Sequence, residues 1–419
     1  MRPATPWRAA LLGAAWLAAP VGATTLDEAI AAAMAHSPAV AMAASAGDAA
    51  DARLEQARAA TRPTATLSGT IGYGRLDMKQ FFGLGAENVT PRAAMATIEQ
   101  PLFTGGRAAA ARAQARAGQA AAEAGKLRTR GDLAAQVAQA YGGVLTAARM
   151  RAMAGELVAQ TTEIERQARL RFRAGESPST DVAQAAARAA EARAILARAE
   201  GGTALAEAQY RNLVGVAPDA LAPLPLGAAV PESLDAAIAE AQAANPARAA
   251  AVAALAAARA ASAGARADRL PTAGAFAEAS LVRDQFFPDY SANAATVGVR
   301  ARWQLYSGGR VGGRIAETSA EVRSAEAALR AAEQTLEADV ISAFQDVRTQ
   351  ALVREAADAQ ALAAAEALAA VGHEVRVGMK PQLAQLDAAR ENIAAAAAQA
   401  QARADAVVAR YRLAALLGR

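Results

Sequence analysis

The sequence predicts a mainly α-helical protein with a membrane β part, built as two tandem repeats that each hold a long helical hairpin and a β-hairpin. Three observations predict this. Alanine dominates a composition that is 54% hydrophobic yet only 4% aromatic. A set of short signatures occurs twice at nearly constant spacing. Segments lying between the helical stretches alternate apolar and polar residues with the period of a strand.

At the N-terminus, Arg2 and Arg8, the apolar run Ala9 to Ala19 and the small residues Val21-Gly22-Ala23 read as a secretory signal peptide over 1–23. The mature chain is then expected to start near Thr24. No later stretch offers about 18 uninterrupted apolar residues, so no helical membrane anchor is expected. An exported chain with 0 Cys has no disulfide staple and no cysteine for a lipid, which leaves packing or assembly to stabilise it. Without Arg2 and Arg8, 42 basic residues face 40 acidic ones, and the formal charge falls from +4 to +2. That balance gives no nucleic-acid signature. Alanine has the best helix propensity but buries little surface, so long helices lying side by side suit this composition better than a compact globule.

The repeat is read from matching signatures. Leu26-Asp27-Glu28-Ala29-Ile30 with Ser37-Pro38 recurs as Leu234-Asp235-Ala236-Ala237-Ile238 with Asn245-Pro246, 208 positions on. Pro101-Leu102-Phe103-Thr104-Gly105-Gly106-Arg107 recurs as Gln304-Leu305-Tyr306-Ser307-Gly308-Gly309-Arg310 at a spacing of 203, so the lengths differ within a loop. Residues 24–216 and 232–419 are the two repeats, and 217–231, with Pro218, Pro223, Pro225 and Pro231, is the linker.

Each repeat begins with a short helix that ends before a capping residue and a proline. A second helix follows, expected to reach Arg62 or Leu270. From the strand-to-helix junctions Gly105-Gly106 and Gly308-Gly309, no proline occurs until Pro178 or Pro381. A helix from Gly105 to Phe172 is about 100 Å long at about 1.5 Å per residue. The chain turns at tips holding Gly175 and Gly378, and return helices run over about 179–213 and 382–417.

Strands are expected at about 65–75, 93–102, 273–282 and 295–305. In the last, Ala295, Val297, Val299, Ala301, Trp303 and Leu305 alternate with Thr296, Gly298, Arg300, Arg302 and Gln304. Roughly ten residues suits a membrane-spanning barrel strand. Polar turns holding Gln80-Phe81-Phe82 and Gln285-Phe286-Phe287 separate the members of each pair. Four strands cannot close a barrel, and open edges are not tolerated in lipid, so several chains must pool their hairpins; three would give a 12-stranded barrel. By the repeat register, Glu99, Arg300 and Arg302 fall on the inward set as a charged barrel lumen, with a periplasmic rim as the alternative. Trp303 and Tyr306 read as interfacial aromatics. The alternative for the strands themselves is a half-exposed sheet of a soluble protein.

In the order, duplication and spacing of Leu26 to Pro38, the Pro101-Leu102-Phe103-Thr104-Gly105-Gly106 junction, and the tips Ala174-Gly175 to Asp181 and Val377-Gly378 to Asp387, the chain resembles the TolC family of outer-membrane efflux and secretion channels. The resemblance implies a homotrimer with a barrel in the outer membrane and a periplasmic tunnel of coiled-coil helices. It also implies partners: a periplasmic adaptor (membrane fusion) protein and an inner-membrane transporter. Family channels close at the periplasmic tips, where aspartates ring the entrance, which assigns a gate role to Asp181 and Asp387. For Asp181 a helix N-terminal role is an equal alternative. At Ala384 the chain departs from relatives that carry another aspartate. A second functional reading is a soluble periplasmic coiled-coil adaptor or scaffold.

His36 and His373 are the only histidines and have no partner pattern, so no metal site is expected. No catalytic or cofactor-binding motif occurs. The chain is expected not to be an enzyme and to need no cofactor.

Overall fold

The computed structural model describes residues 23–77, 86–285 and 289–419; the signal segment, Gln80-Phe81-Phe82 and Phe286-Phe287 lie outside the described residues. The elements run α1 (Leu26–His36), α2 (Pro38–Ala59), β1 (Thr64–Ile71), β2 (Gly74–Leu76), β3 (Glu87–Val89), β4 (Arg92–Phe103), α3 (Arg107–Arg173) and α4 (Ser179–Val214). The pattern repeats as α5 (Leu234–Ala244), α6 (Pro246–Ala267), β5 (Thr272–Arg283), β6 (Ser291–Arg302), α7 (Arg310–Arg376) and α8 (Gln382–Leu416).

Helix starts follow from local chemistry. Thr25 and Glu28 form a capping box on α1: the Thr25 amide donates to Glu28 Oε2 at 2.8 Å, and the Glu28 amide to Thr25 Oγ1 at 3.3 Å. Ser37 and Asn245 accept from the amides of Val40 and Arg248, ahead of Pro38 and Pro246 at the first helical position. The 67-residue helices α3 and α7 start alike, with Thr104 Oγ1 accepting from Ala108 N and Ser307 Oγ from Val311 N. Among the described residues no single helix is long and apolar enough to cross a membrane.

Four strands form one antiparallel sheet in the order β1-β4-β5-β6, so the two hairpins meet at β4–β5. Four expected elements end early, each close to a proline on its own or its paired segment. Helices α2 and α6 stop at Ala59 and Ala267 rather than Arg62 and Leu270, because the amides of Thr61, Arg62, Arg269 and Leu270 bond to carbonyls three residues back in a tightened last turn, ahead of Pro63 and Pro271. The strand expected at 65–75 breaks after Ile71, and β2 pairs with β3 in a separate ladder. Opposite the break stands Pro91, which accepts from Gly72 N at 2.9 Å but has no N–H to return. The strand expected at 295–305 runs from Ser291 to Arg302; Arg302 pairs with Thr272, and beyond it the partner chain reaches Pro271.

The chain divides into two compact units that cut across the repeats. One contains the chain up to Ala33, Val137–Leu226 and Ala357–Ala404; the other contains Met34–Gln136, Gly227–Ala356 and Asp405–Arg419. In the first, Leu157, Ala192 and Ala389 form a small core with Val158, Ile195, Leu368 and Ile393. In the second, Ala237 and Ala241 of α5 pack on Leu336, Val340, Phe344 and Val347 of α7 and on Leu413 and Leu417. Glycine set against alanine permits close helix approach: a Cβ on Gly142 would lie 2.7 Å from that of Ala404, and one on Gly131 3.0 Å from that of Ala415.

Candidate functional site

The sheet has two chemically distinct faces. Pairing of Thr64 with Glu99, Glu99 with Phe276 and Phe276 with Gly298 places these on one face, together with Thr66, Thr97, Glu278, Thr296, Arg300 and Arg302. The other carries Leu67, Ile71, Ile98, Ala277, Ala279, Val297 and Val299. This second face is uncovered in the single chain, with Leu67 82% and Val297 84% exposed. Leaving such a band bare to water is unfavourable, whereas hydrocarbon suits it.

Glu99, Arg300 and Arg302 therefore share a face. Arg300 lies 4.6 Å over the Phe276 ring and 4.0 Å from Glu278. Phe276 in turn occupies the space over Gly298, where a Cβ would sit 3.1 Å from the ring. Sequence reasoning passed over Phe276 and Glu278; the alternation of Phe276, Glu278 and Ser280 in the weaker strand was the available signal.

At the junctions, Gly105 and Gly106 have φ of 62° and 91°, and Gly308 and Gly309 have 61° and 87°, a left-handed pair that turns each strand into its long helix. A Cβ on Gly105 would also lie 3.0 Å from the Ala267 carbonyl oxygen, so space and conformation both require glycine there.

The hairpin tips are paired Schellman turns. Gly175 (φ 75°) donates to the Phe172 carbonyl and Glu176 to that of Arg171; Gly378 (φ 77°) donates to Val375 and Met379 to Glu374. Asp181 and Asp387 are both exposed, near the starts of α4 and α8. Asp181 lies in the first turn of α4, whose cap residue Pro178 makes no side-chain hydrogen bond, so its charge also suits that helix terminus. Asp181 and Arg171, Ser177 and Arg188 line a cavity of about 340 Å³, closed on another side by Pro381 and Leu386 of the second tip.

Charged ties bind the helices along the helical hairpins. Glu165 of α3 is shared by Arg169 and, at 3.6 Å, by Arg193 of α4. Asp358 of α7 accepts from Gln399 and Arg403 of α8 at 2.9 Å each. Arg390 of α8 meets Glu191 of α4, joining the two helical hairpins. Hydrogen bonds from Arg166 and Gln167 hold the exposed Glu163 carboxyl down at about 2. These cross-helix pairs lie far apart in sequence, which hides them from a reading by motif.

Among the described residues no group of three or more His, Cys, Asp or Glu side chains is placed to hold a metal ion.

Residues 29–216 and 237–419 match the outer membrane efflux protein family. Outer membrane efflux protein BepC of Brucella suis biovar 1 is 31% identical over 286 residues, which is 68% of this chain and 62% of the relative, less than two thirds of its length. Among solved structures, a membrane protein from Pseudomonas aeruginosa superposes with a TM-score of 0.79 at 21% identity, over 96% of this chain and 97% of that one. The outer membrane channel CmeC of Campylobacter jejuni gives 0.81 at 13% identity, over 94% and 85%. At such identities the structures carry the fold alone, long helices joined to a small antiparallel sheet. The family match covers both repeats, and the chain belongs to the outer membrane efflux protein family, at home in the bacterial outer membrane with a large periplasmic part.

Proposed function

We propose that this chain is one third of a homotrimeric exit duct that passively conducts substrate from a periplasmic helical tunnel to the cell exterior. The observation that carries the reading is the four-stranded sheet with one apolar face, one polar face and two open edges, β1 and β6. Neither edge is tolerable in hydrocarbon, because each unpaired backbone group there costs several kcal/mol. Joining β6 of one copy to β1 of the next, three times, closes a 12-stranded barrel and removes every edge. The apolar face then meets outer-membrane lipid, and Glu99, Arg300 and Arg302 line the lumen.

A passive duct needs an energised supplier. In this reading the tips meet a periplasmic adaptor and an inner-membrane transporter of a tripartite efflux or type I secretion system, and the transporter selects the cargo. Asp181 and Asp387 ring the periplasmic entrance. In planar-bilayer recordings of the full chain, Asp181→Asn combined with Asp387→Asn is expected to weaken block by divalent cations by about tenfold or more, as loss of two carboxylates per subunit removes the ligand charge. Unchanged block with preserved conductance contradicts the gate assignment. Absence of any pore-forming activity in the wild type contradicts the duct.

A further inference from the structure

The segments where helices meet the sheet carry a charge that the duct itself does not require. Arg58 stands in the last turn of α2, and Arg62 just beyond it; Arg266 and Arg269 stand at the corresponding end of α6. All four are exposed. Basic residues at helix C-termini usually answer the helix dipole. Here the terminal carbonyls already have backbone donors, from Ala60, Thr61 and Arg62 to Gln56, Arg58 and Ala59, and from Arg269 and Leu270 to Arg266 and Ala267. Two acids stand among these arginines. Glu55 pairs with Arg58 and Arg62, and Asp268 is engaged at 3.4 Å by Arg107. Arg266 and Arg269 have no ionic partner among the described residues.

Aromatic side chains share this level. The Trp303 indole donates to the Arg269 carbonyl at 3.1 Å while 62% of the residue stays exposed, and Tyr306 is 85% exposed. An amphipathic ring fixed beside an unpaired arginine, at the border of an apolar sheet face, suits a lipid headgroup region. The opposite end of the sheet differs. There, among the described residues, Arg75, Arg92 and Arg283 are outnumbered by Asp77, Glu87, Asp284 and Asp289. Positive charge is concentrated on the helical side alone.

We infer that the helix-to-strand junctions form a basic, aromatic-edged collar that binds the phosphate headgroups of anionic glycerophospholipids in the leaflet on the helical side of the barrel. Arginine supplies forked donors to phosphate oxygens, and the collar repeats with each repeat of the chain. The inference rests on the reading of the sheet as a barrel wall.

The chain contains its own reporter. Its 3 tryptophans are Trp7 and Trp16, both within the signal segment, and Trp303. The mature full-length chain, reconstituted in phosphatidylcholine vesicles containing phosphatidylglycerol, is tested by quenching of Trp303 fluorescence. Bromine is placed on the acyl chains of one lipid or the other. The collar predicts that brominated phosphatidylglycerol quenches with a relative affinity about threefold or more above brominated phosphatidylcholine, and that the preference falls towards unity near 1 M salt. Replacing Arg58, Arg62, Arg266 and Arg269 with Gln should abolish the preference and leave total quenching intact. Should that variant fail to assemble, the salt series in the wild type decides alone. Equal quenching by both lipids overturns the collar and leaves the barrel standing. No quenching by either lipid overturns the barrel reading, and the collar with it.

Discussion

Tyr141 shows how one side chain can fix the chain's path. It is fully buried, 6.3 Å from Tyr210, and its hydroxyl lies 2.7 Å from the Thr24 carbonyl oxygen and 2.6 Å from that of Ala222. Thr24 and the linker are further joined backbone to backbone, through Thr24 N to Ala220 O and Ala222 N to Thr24 O. The hydroxyl thus clasps the start of the mature chain to the segment between the repeats. Tyr141→Phe keeps the shape but strips the donor, and is expected to cost about 1–2 kcal/mol, seen as a lower Tm. Burial, with Tyr210 adding to it, pushes the Tyr141 hydroxyl up to about 12. Above about pH 10 the unfolded chain therefore loses a proton that the folded chain retains. The Tyr141 contribution should be level below pH 10 and fall towards pH 12, and urea midpoints of Tyr141→Phe should show a smaller alkaline step, because burial raises Tyr210 as well. At the repeat spacing of 203 Tyr141 corresponds to Phe344, yet its partners sit 117 and 81 residues away, where no local pattern reveals them.

At the scale of elements, adjacent glycines in α3 carry opposite expectations. A methyl on Gly142 would meet the Ala404 Cβ at 2.7 Å, whereas one on Gly143 meets nothing within 4 Å. Gly142→Ala should lower Tm, because overpacking of about 1–3 kcal/mol outweighs a helix-propensity gain of about 1 kcal/mol. Gly143→Ala should keep that gain and raise Tm. Equal shifts in a melting experiment would deny close packing of α3 on α8. Helices, caps and tips were legible in the sequence because their signals are local: a capping side chain before Pro38 or Pro246, glycine at the tips, and proline-free runs between. Strand ends were less so, since Ile71 and Arg302 end their ladders when the partner chain meets Pro91 or Pro271, residues remote in sequence. The shared face of Glu99, Arg300 and Arg302 was readable because strand side chains alternate strictly. The cross-helix node at Glu191 was not, as helix faces in an alanine-rich stretch give little contrast.

At the scale of the whole molecule, duplication places a hairpin in each repeat, while the compact units draw on both repeats at once. A repeat taken alone therefore lacks partners within both units. The sheet has the same deficit one level up, because β4–β5 pairing joins the repeats and still leaves β1 and β6 open. Assembly through those edges is the central claim. The chain has 0 Cys, so cysteines placed in pairs, one in β1 near Leu67 and one scanned along β6 from Asn293 to Val299, report only on each other. Within one sheet β1 and β6 are three strand spacings of about 4.8 Å apart, beyond the roughly 7 Å reach of a disulfide, so any bond must join two chains. Oxidation in the membrane is expected to yield a denaturing-gel ladder of monomer, dimer and covalent trimer that stops there; monomer alone at every register, or a ladder continuing past three, would contradict assembly through these edges.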